Sequence, residues 1–203
     1  MQEIKNILFD LGGVLMDIDF NLSNKAFAAL GVPDFKQYIS QHHADVLFEK
    51  LEIGAISPNE FYDAFREEVK LPLSNADIER AWNAMLLHFS KDKMNWLEAT
   101  GKRYNIYLFS NTNKMHVDYF QDLCLREIGK PLESFFIKAW YSNEVGLRKP
   151  YPASFTTLLE REHLKPEETL FIDDTIGNIE GAKQAGLQTK HLVAPETVLE
   201  LHL

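Results

Sequence analysis

The sequence predicts an α/β protein, a parallel sheet core with helices on both faces into which a four-helix bundle is inserted. Three observations predict it. A short, continuous apolar run at residues 4–9 has the length and texture of a strand buried on both faces. About seventy residues of helical periodicity follow. From Trp96 onward, short apolar strands alternate with amphipathic helices to the end of the chain. Strands separated by helices imply crossover connections and parallel pairing, a Rossmann-like arrangement.

The first strand ends in Asp10, and Gly12-Gly13 then supply a loop that can bend sharply and approach a ligand closely. Beyond it, Leu22, Ala26 and Leu30 recur at helical spacing before Gly31, and Val46, Leu47, Phe48 and Leu51 form a second apolar face closed by Gly54. Ser57-Pro58-Asn59-Glu60 is a capping box with proline at the first helical position, followed by Phe61, Phe65 and Val69 on one face. Ser74, three residues before Asp77, opens a fourth helix carrying Ile78, Trp82, Met85, Leu86 and Phe89. Four such helices bury their stripes against one another as a small bundle. The expected boundaries are residues 1–16 and 90–203 for the core and 17–89 for the insert.

A helix ending at Gly101 precedes a strand at 104–109. The polar run Ser110-Asn111-Thr112-Asn113 ends that strand and caps a helix carrying Val117, Phe120 and Leu123. Further strands are expected at 136–141, 170–172 and 188–193. A helix with Ile176, Ile179 and Ala182 lies between the last two, and a terminal helix at 197–203.

Composition is that of an ordinary globular protein, 45% hydrophobic and 25% charged over 203 residues. A formal charge of −9 gives no footprint for nucleic acid or an anionic membrane, so an anionic substrate must be met by local positive charge. The single cysteine, Cys124, excludes an intrachain disulfide and reads as a small buried apolar residue, suited to a reducing compartment. No apolar run approaches the length of a membrane span, and Glu3 and Asp10 interrupt any signal-peptide core, so the expected location is the cytoplasm. A monomer or homodimer is expected.

Four polar signals stand at strand ends or in a loop beyond one: Asp10, Ser110, Lys149 and the pair Asp173-Asp174. Ligands of open α/β sheets bind beyond the carboxyl ends of the strands, where these side chains can converge. Each also has a plainer reading. Ser110 could cap the following helix, Lys149 could be an exposed lysine before a helix-initiating proline, and the two aspartates could be N-caps.

Phe9-Asp10-Leu11-Gly12-Gly13-Val14-Leu15, Leu108-Phe109-Ser110-Asn111-Thr112-Asn113, Gly146-Leu147-Arg148-Lys149-Pro150 and Phe171-Ile172-Asp173-Asp174, with Asn178 and Gly181-Ala182 after it, together resemble the four motifs of the haloacid dehalogenase superfamily of hydrolases. The resemblance covers the whole chain, and the helical insert resembles that family's small cap. The wording is most similar to small bacterial sugar-phosphate phosphatases, including those acting on glucose 1-phosphate.

The resemblance implies a phosphorylated small-molecule substrate, with Asp10 attacking phosphorus to form an aspartyl-phosphate that water hydrolyses. Ser110, Asn111 and the Gly12 and Gly13 backbone would hold the phosphoryl oxygens, and Lys149 would neutralise them. Three carboxylates beside a phosphate dianion raise one another's pKa and repel substrate. A Mg²⁺ ion on Asp10, the backbone carbonyl of Gly12 and Asp174 resolves the conflict, with Asp173 behind it or bound through water. Which of Asp173 and Asp174 is the direct ligand stays open.

One departure matters. Most phosphatases of this family carry a second aspartate two residues after the nucleophile as general acid and base, and here that position is Gly12. General acid-base catalysis is worth about 10² to 10⁴ in rate. Its loss favours leaving groups that depart easily, so hexose 1-phosphates should be turned over faster than 6-phosphates. Asp17 and Asp19 are the nearest candidates for a substitute acid. His42, His43, Glu52 and Trp82 are candidates for reading substrate, though each fits surface or bundle packing as well.

Two other readings compete. In a 2-haloacid dehalogenase Asp10 would attack carbon without a metal, and the acidic pair would be a liability. In a phospholigand-binding or regulatory protein the pocket would be kept and turnover weak.

Overall fold

The computed structural model describes residues 3–40 and 43–203. In chain order the strands are β1 (Asn6–Phe9), β2 (Met16–Ile18), β3 (Ile39–Ser40), β4 (His43–Ala44), β5 (Leu86–Phe89), β6 (Asn105–Ser110), β7 (Lys138–Tyr141), β8 (Thr169–Asp173) and β9 (Gln188–His191). The helices are α1 (Phe20–Ala29), α2 (Val46–Glu52), α3 (Pro58–Val69), α4 (Asn75–Asn83), α5 (Lys91–Thr100), α6 (Lys114–Ile128), α7 (Ser142–Val145), α8 (Pro152–Arg161) and α9 (Ile176–Gln184).

Five strands form one parallel sheet in the order β7-β6-β1-β8-β9. The first strand is therefore central, with Phe9 level with Leu108 of β6 and Ile172 of β8. That register sets Asp10 level with Asp173 at the carboxyl edge, with Ser110 one residue further along β6. All four residues of β1 are buried. Ile7 and Phe9 face a core shared with Met94, Leu97 and Phe120 of α5 and α6. Leu8 faces the opposite core, with Phe155 and Leu158 of α8 and Ile179 of α9. The expected two-sided burial follows from this alternation, which gives every residue of a central strand an apolar neighbour.

Between β1 and α5 the chain leaves the sheet and returns. Ser57 and Glu60 form the expected capping box at the head of α3, and Asp19, Asp45 and Ser74 cap α1, α2 and α4. Phe27, Phe35, Phe48, Phe61, Phe65 and Trp82 are packed together inside the insert, with Phe48 and Trp82 4.8 Å apart between ring centroids. The insert differs from a pure helical bundle. Helix α4 ends at Asn83, and Leu86–Phe89, read from the sequence as the end of that helix, pairs antiparallel with β2. The two strands lie where the chain leaves the core and where it comes back. A run of four residues is too short for periodicity to separate helix from strand.

At the C-terminus Thr197 forms a capping box with Glu200, but only a single 3₁₀ turn at Val198–Glu200 follows in place of the expected helix. Leu201 turns extended, and Leu201 and Leu203 pack on the core. Among the described residues no helix is long and apolar enough to cross a membrane, and Cys124 is buried.

Candidate active site

The carboxyl ends of β1, β6 and β8 open on a cavity of about 390 Å³ between the sheet edge and the insert. Asp10 leaves β1 with its backbone N–H still bonded to Ile172 O at 2.9 Å, so the sheet holds its position. The turn after it closes through Gly13 N–H to Met16 O at 2.8 Å. Gly13 has φ +76°, and a Cβ there would overlap the Asp174 carboxylate. Glycine is required on both counts.

Lys149 is 1% exposed. Its Nζ donates to Asp10 Oδ1 at 2.5 Å and to Asp173 Oδ2 at 2.8 Å, and lies over the rings of Phe109 and Phe171. Its backbone is fixed by Asn111, whose side-chain amide donates to Lys149 O and accepts from Lys149 N–H, both at 2.9 Å. Asn111 was expected to hold substrate, and its side chain is committed to the lysine instead. What remains for a ligand is its backbone. Gly181 of α9 completes the support, because a Cβ there would collide with Pro150 O.

The two aspartates after β8 have different surroundings. Asp173 is fully buried and accepts from Lys149 Nζ, from Thr175 N–H at 2.7 Å and from Asn178 Nδ2 at 3.0 and 3.1 Å. Asp174 is half-buried and lines the cavity, with Asp10, Gly12 and Ser110. Carboxylate oxygens of Asp10, Asp173 and Asp174 lie within 4.8 Å of one another.

This crowding has electrostatic consequences. Burial, reinforced by the Asp173 and Asp174 charges and opposed by Lys149, pushes the Asp10 carboxyl up to about 7. Burial and Asp173 also raise Asp174. Burial draws the Lys149 ammonium down, but the Asp10 and Asp173 carboxylates outweigh it and hold the ammonium above its ordinary value. An all-oxygen set with surplus negative charge fits a hard divalent cation.

The other expected residues fall in different places. Glu52 and Trp82 line the cavity. His42 lies outside the described residues, as does the side chain of His43. Asp17 is paired with Lys93 Nζ at 2.7 Å and Asp19 caps α1; neither is on the cavity wall. Sequence reasoning passed over Arg148 as a wall residue, although it stands in the same motif as Lys149. It also passed over Thr112 and His116, which sit in and just after the polar run ending β6.

Comparison with known proteins agrees with this geometry. The family model described as haloacid dehalogenase-like hydrolase matches residues 4–186. A D-ribitol-5-phosphate phosphatase from Bacteroides thetaiotaomicron is 33% identical over 186 residues, covering 92% of this chain and 90% of the relative. A phosphorylated carbohydrates phosphatase from Thermotoga maritima is 26% identical, covering 90% and 82%. A crystal structure of a family enzyme from Bacteroides thetaiotaomicron, in complex with magnesium and inorganic phosphate, superposes with a TM-score of 0.89 at 32% identity, covering 98% and 100%. With its motifs at the sheet edge and this match over most of its length, the chain belongs to the haloacid dehalogenase-like hydrolases.

Proposed function

We propose that the protein hydrolyses the phosphate monoester of a small sugar or sugar alcohol, with Asp10 as nucleophile and Mg²⁺ as cofactor. It is a phosphoric monoester hydrolase of its family. The observation that carries the reading is Lys149 held between Asp10 and Asp173 with Asp174 facing the same cavity.

Asp10 attacks phosphorus as the bond to the leaving oxygen breaks, and water then hydrolyses the aspartyl-phosphate. Lys149, already committed to Asp10, neutralises the phosphoryl oxygens, while Ser110 and the backbone N–H groups of Asn111 and Gly12 bind them; the Gly13 N–H, expected to join them, is committed to Met16 O instead. Asp10, Asp174 and the Gly12 carbonyl would hold Mg²⁺, which when bound withdraws charge from the phosphoryl group and offsets the carboxylates. Asp173, with its four hydrogen bonds, would stand behind the ion and fix Lys149, Thr175 and Asn178. Residues 17–89 would act as the cap over the cavity.

Gly12 carries no general acid, and Asp17 and Asp19 do not reach the cavity wall to replace it. The reaction then favours leaving groups that depart with little protonation, hexose 1-phosphates over 6-phosphates. The Bacteroides relative, named for the 5-phosphate of a primary alcohol, is the reason to set ribitol 5-phosphate beside them.

The test is phosphate release from such a panel, with Mg²⁺ and with chelator, using Asp10→Asn as blank. The expected result is Mg²⁺-dependent release that vanishes in the variant. Release of chloride from a 2-chloroacid without Mg²⁺, or ligand binding with no phosphate release, would overturn the reading. A 6-phosphate or ribitol 5-phosphate outrunning every 1-phosphate would overturn the leaving-group argument alone.

A further inference from the structure

We propose that Trp82, Thr112 and His116 form a subsite that reads hydroxyl groups and selects an uncharged, polyhydroxylated leaving group; this rests on the phosphatase reading above. Among the described residues five buried side-chain polar atoms have no partner within the protein. Three of them, Trp82 Nε1, Thr112 Oγ1 and His116 Nε2, belong to residues of the cavity wall. The other two, on Asn83 and Asn143, do not. Buried polar groups are ordinarily paired, so three orphans around one cavity mark a place where a ligand supplies the missing partners.

Trp82 is fully buried on α4, and its ring meets that of His116 at 4.9 Å and 70°. The His116 backbone N–H donates to Asn113 Oδ1 at 3.1 Å. Thr112 is tied through its backbone to Ser142, its N–H donating to Oγ at 2.8 Å and its carbonyl accepting from Oγ at 3.0 Å. The backbone of Thr112 is satisfied, and its hydroxyl is not.

The chemistry of the trio narrows what it can bind. An indole N–H donates, a threonine hydroxyl does both, and a neutral imidazole has one donor and one acceptor nitrogen. None carries charge, since burial keeps the imidazole neutral. The two cations on the described wall are already paired, Arg148 with Glu52 and Lys149 with Asp10 and Asp173. A second phosphate or a carboxylate on the leaving group would find no free cation there, whereas alcohol hydroxyls match all three groups. Apolar wall residues such as Met16, Ile18 and Phe120 suit the C–H faces of the same molecule.

The experiment compares kcat/KM for ribitol 5-phosphate with that for n-pentyl phosphate, which has the same chain length and a primary alkoxide leaving group without the other hydroxyls. The wild type should prefer the polyol ester. Thr112→Val and Trp82→Phe should each lower kcat/KM for ribitol 5-phosphate by about tenfold and leave n-pentyl phosphate unchanged, with Thr112→Ser restoring the preference. A parallel fall for both substrates would assign these residues to packing and overturn the subsite, as would no change in either, while the phosphatase reading stood. Release from neither substrate by a wild type that does hydrolyse hexose 1-phosphates would overturn the subsite alone, and release from no phosphate ester at all would overturn the phosphatase reading with it.

Discussion

Glu52 of the insert and Arg148 of the core meet on the cavity wall at 2.8 Å, one residue before the lysine that holds Asp10. Arg148 Nε donates to the same carboxylate at 3.0 Å, and Tyr151 donates to Glu49 at 3.0 Å one helical turn away. Gly54 lets the two parts close up, since a Cβ there would strike the backbone carbonyl of Asn143. Burial raises the Glu52 carboxyl and Arg148 draws it back. Removing the guanidinium leaves that carboxylate enclosed without a partner. Arg148→Met should therefore cost roughly 3 kcal/mol in urea unfolding, and Glu52→Gln combined with Arg148→Met should recover most of it. Equal losses in the single and double variants would show that the pair is not coupled.

Gly13→Ala tests the turn beneath the acidic cluster. The added methyl would meet the Asp174 carboxylate at a backbone φ of +76°, forcing either the turn or the aspartate to move. The expected outcome is a Mg²⁺ half-saturation concentration raised about tenfold or more, the scale on which misplacing a ligand acts. Activity should return in part at high Mg²⁺. An unchanged Mg²⁺ titration would place the ion away from Asp174.

Much of this site was legible because its residues occupy positions where chain chemistry is conspicuous. Asp10 and Asp173-Asp174 end apolar strands, and Lys149 precedes a proline. Residues that depend on distant partners were not legible. The commitment of Asn111 to Lys149 spans 38 positions and that of Arg148 to Glu52 spans 96, and no local pattern encodes either. The environment of His116 is set by Trp82 from the insert, so its helix periodicity alone says nothing of it. Leu86–Phe89 reads as helix for a different reason, since Leu86 and Phe89 stand three apart as on a helix face and four residues are too few for a strand's alternation to show. The segment after Thr197 shows the opposite limit, a capping box that starts one 3₁₀ turn before Leu201 turns extended.

Lys149 is the only cation that touches Asp10 among the described residues. Lys149→Met removes the charge that opposes Asp10's upward shift, so the nucleophile should become harder to ionise and the phosphoryl group lose its counter-charge. A fall in kcat of about 10² to 10³ is expected, the range seen when a preorganised transition-state donor is lost. Lys149→Arg should not rescue it. A planar fork cannot replace a compact ammonium between two carboxylates in a site that is 1% exposed. A Lys149→Arg enzyme with near wild-type kcat would remove the lysine from the reaction.

His116 ties stability to pH. Burial lowers its pKa from 6.5 to about 3, so above pH 6.5 it is neutral in both the folded and unfolded chain and adds no pH dependence. As the pH falls below 6.5 the unfolded chain takes up a proton that the folded one refuses, and stability drops by up to about 1.4 kcal/mol per pH unit until the folded pKa is reached. His116→Gln keeps a polar side chain and abolishes this uptake. Urea unfolding at pH 7, 6 and 5 should show wild-type stability falling more steeply than that of the variant, with the gap growing only below 6.5. Parallel pH profiles would mean that the imidazole reaches solvent and is protonated in the folded protein. The charge-neutral subsite inferred for Trp82, Thr112 and His116 would then lose its basis at acidic pH.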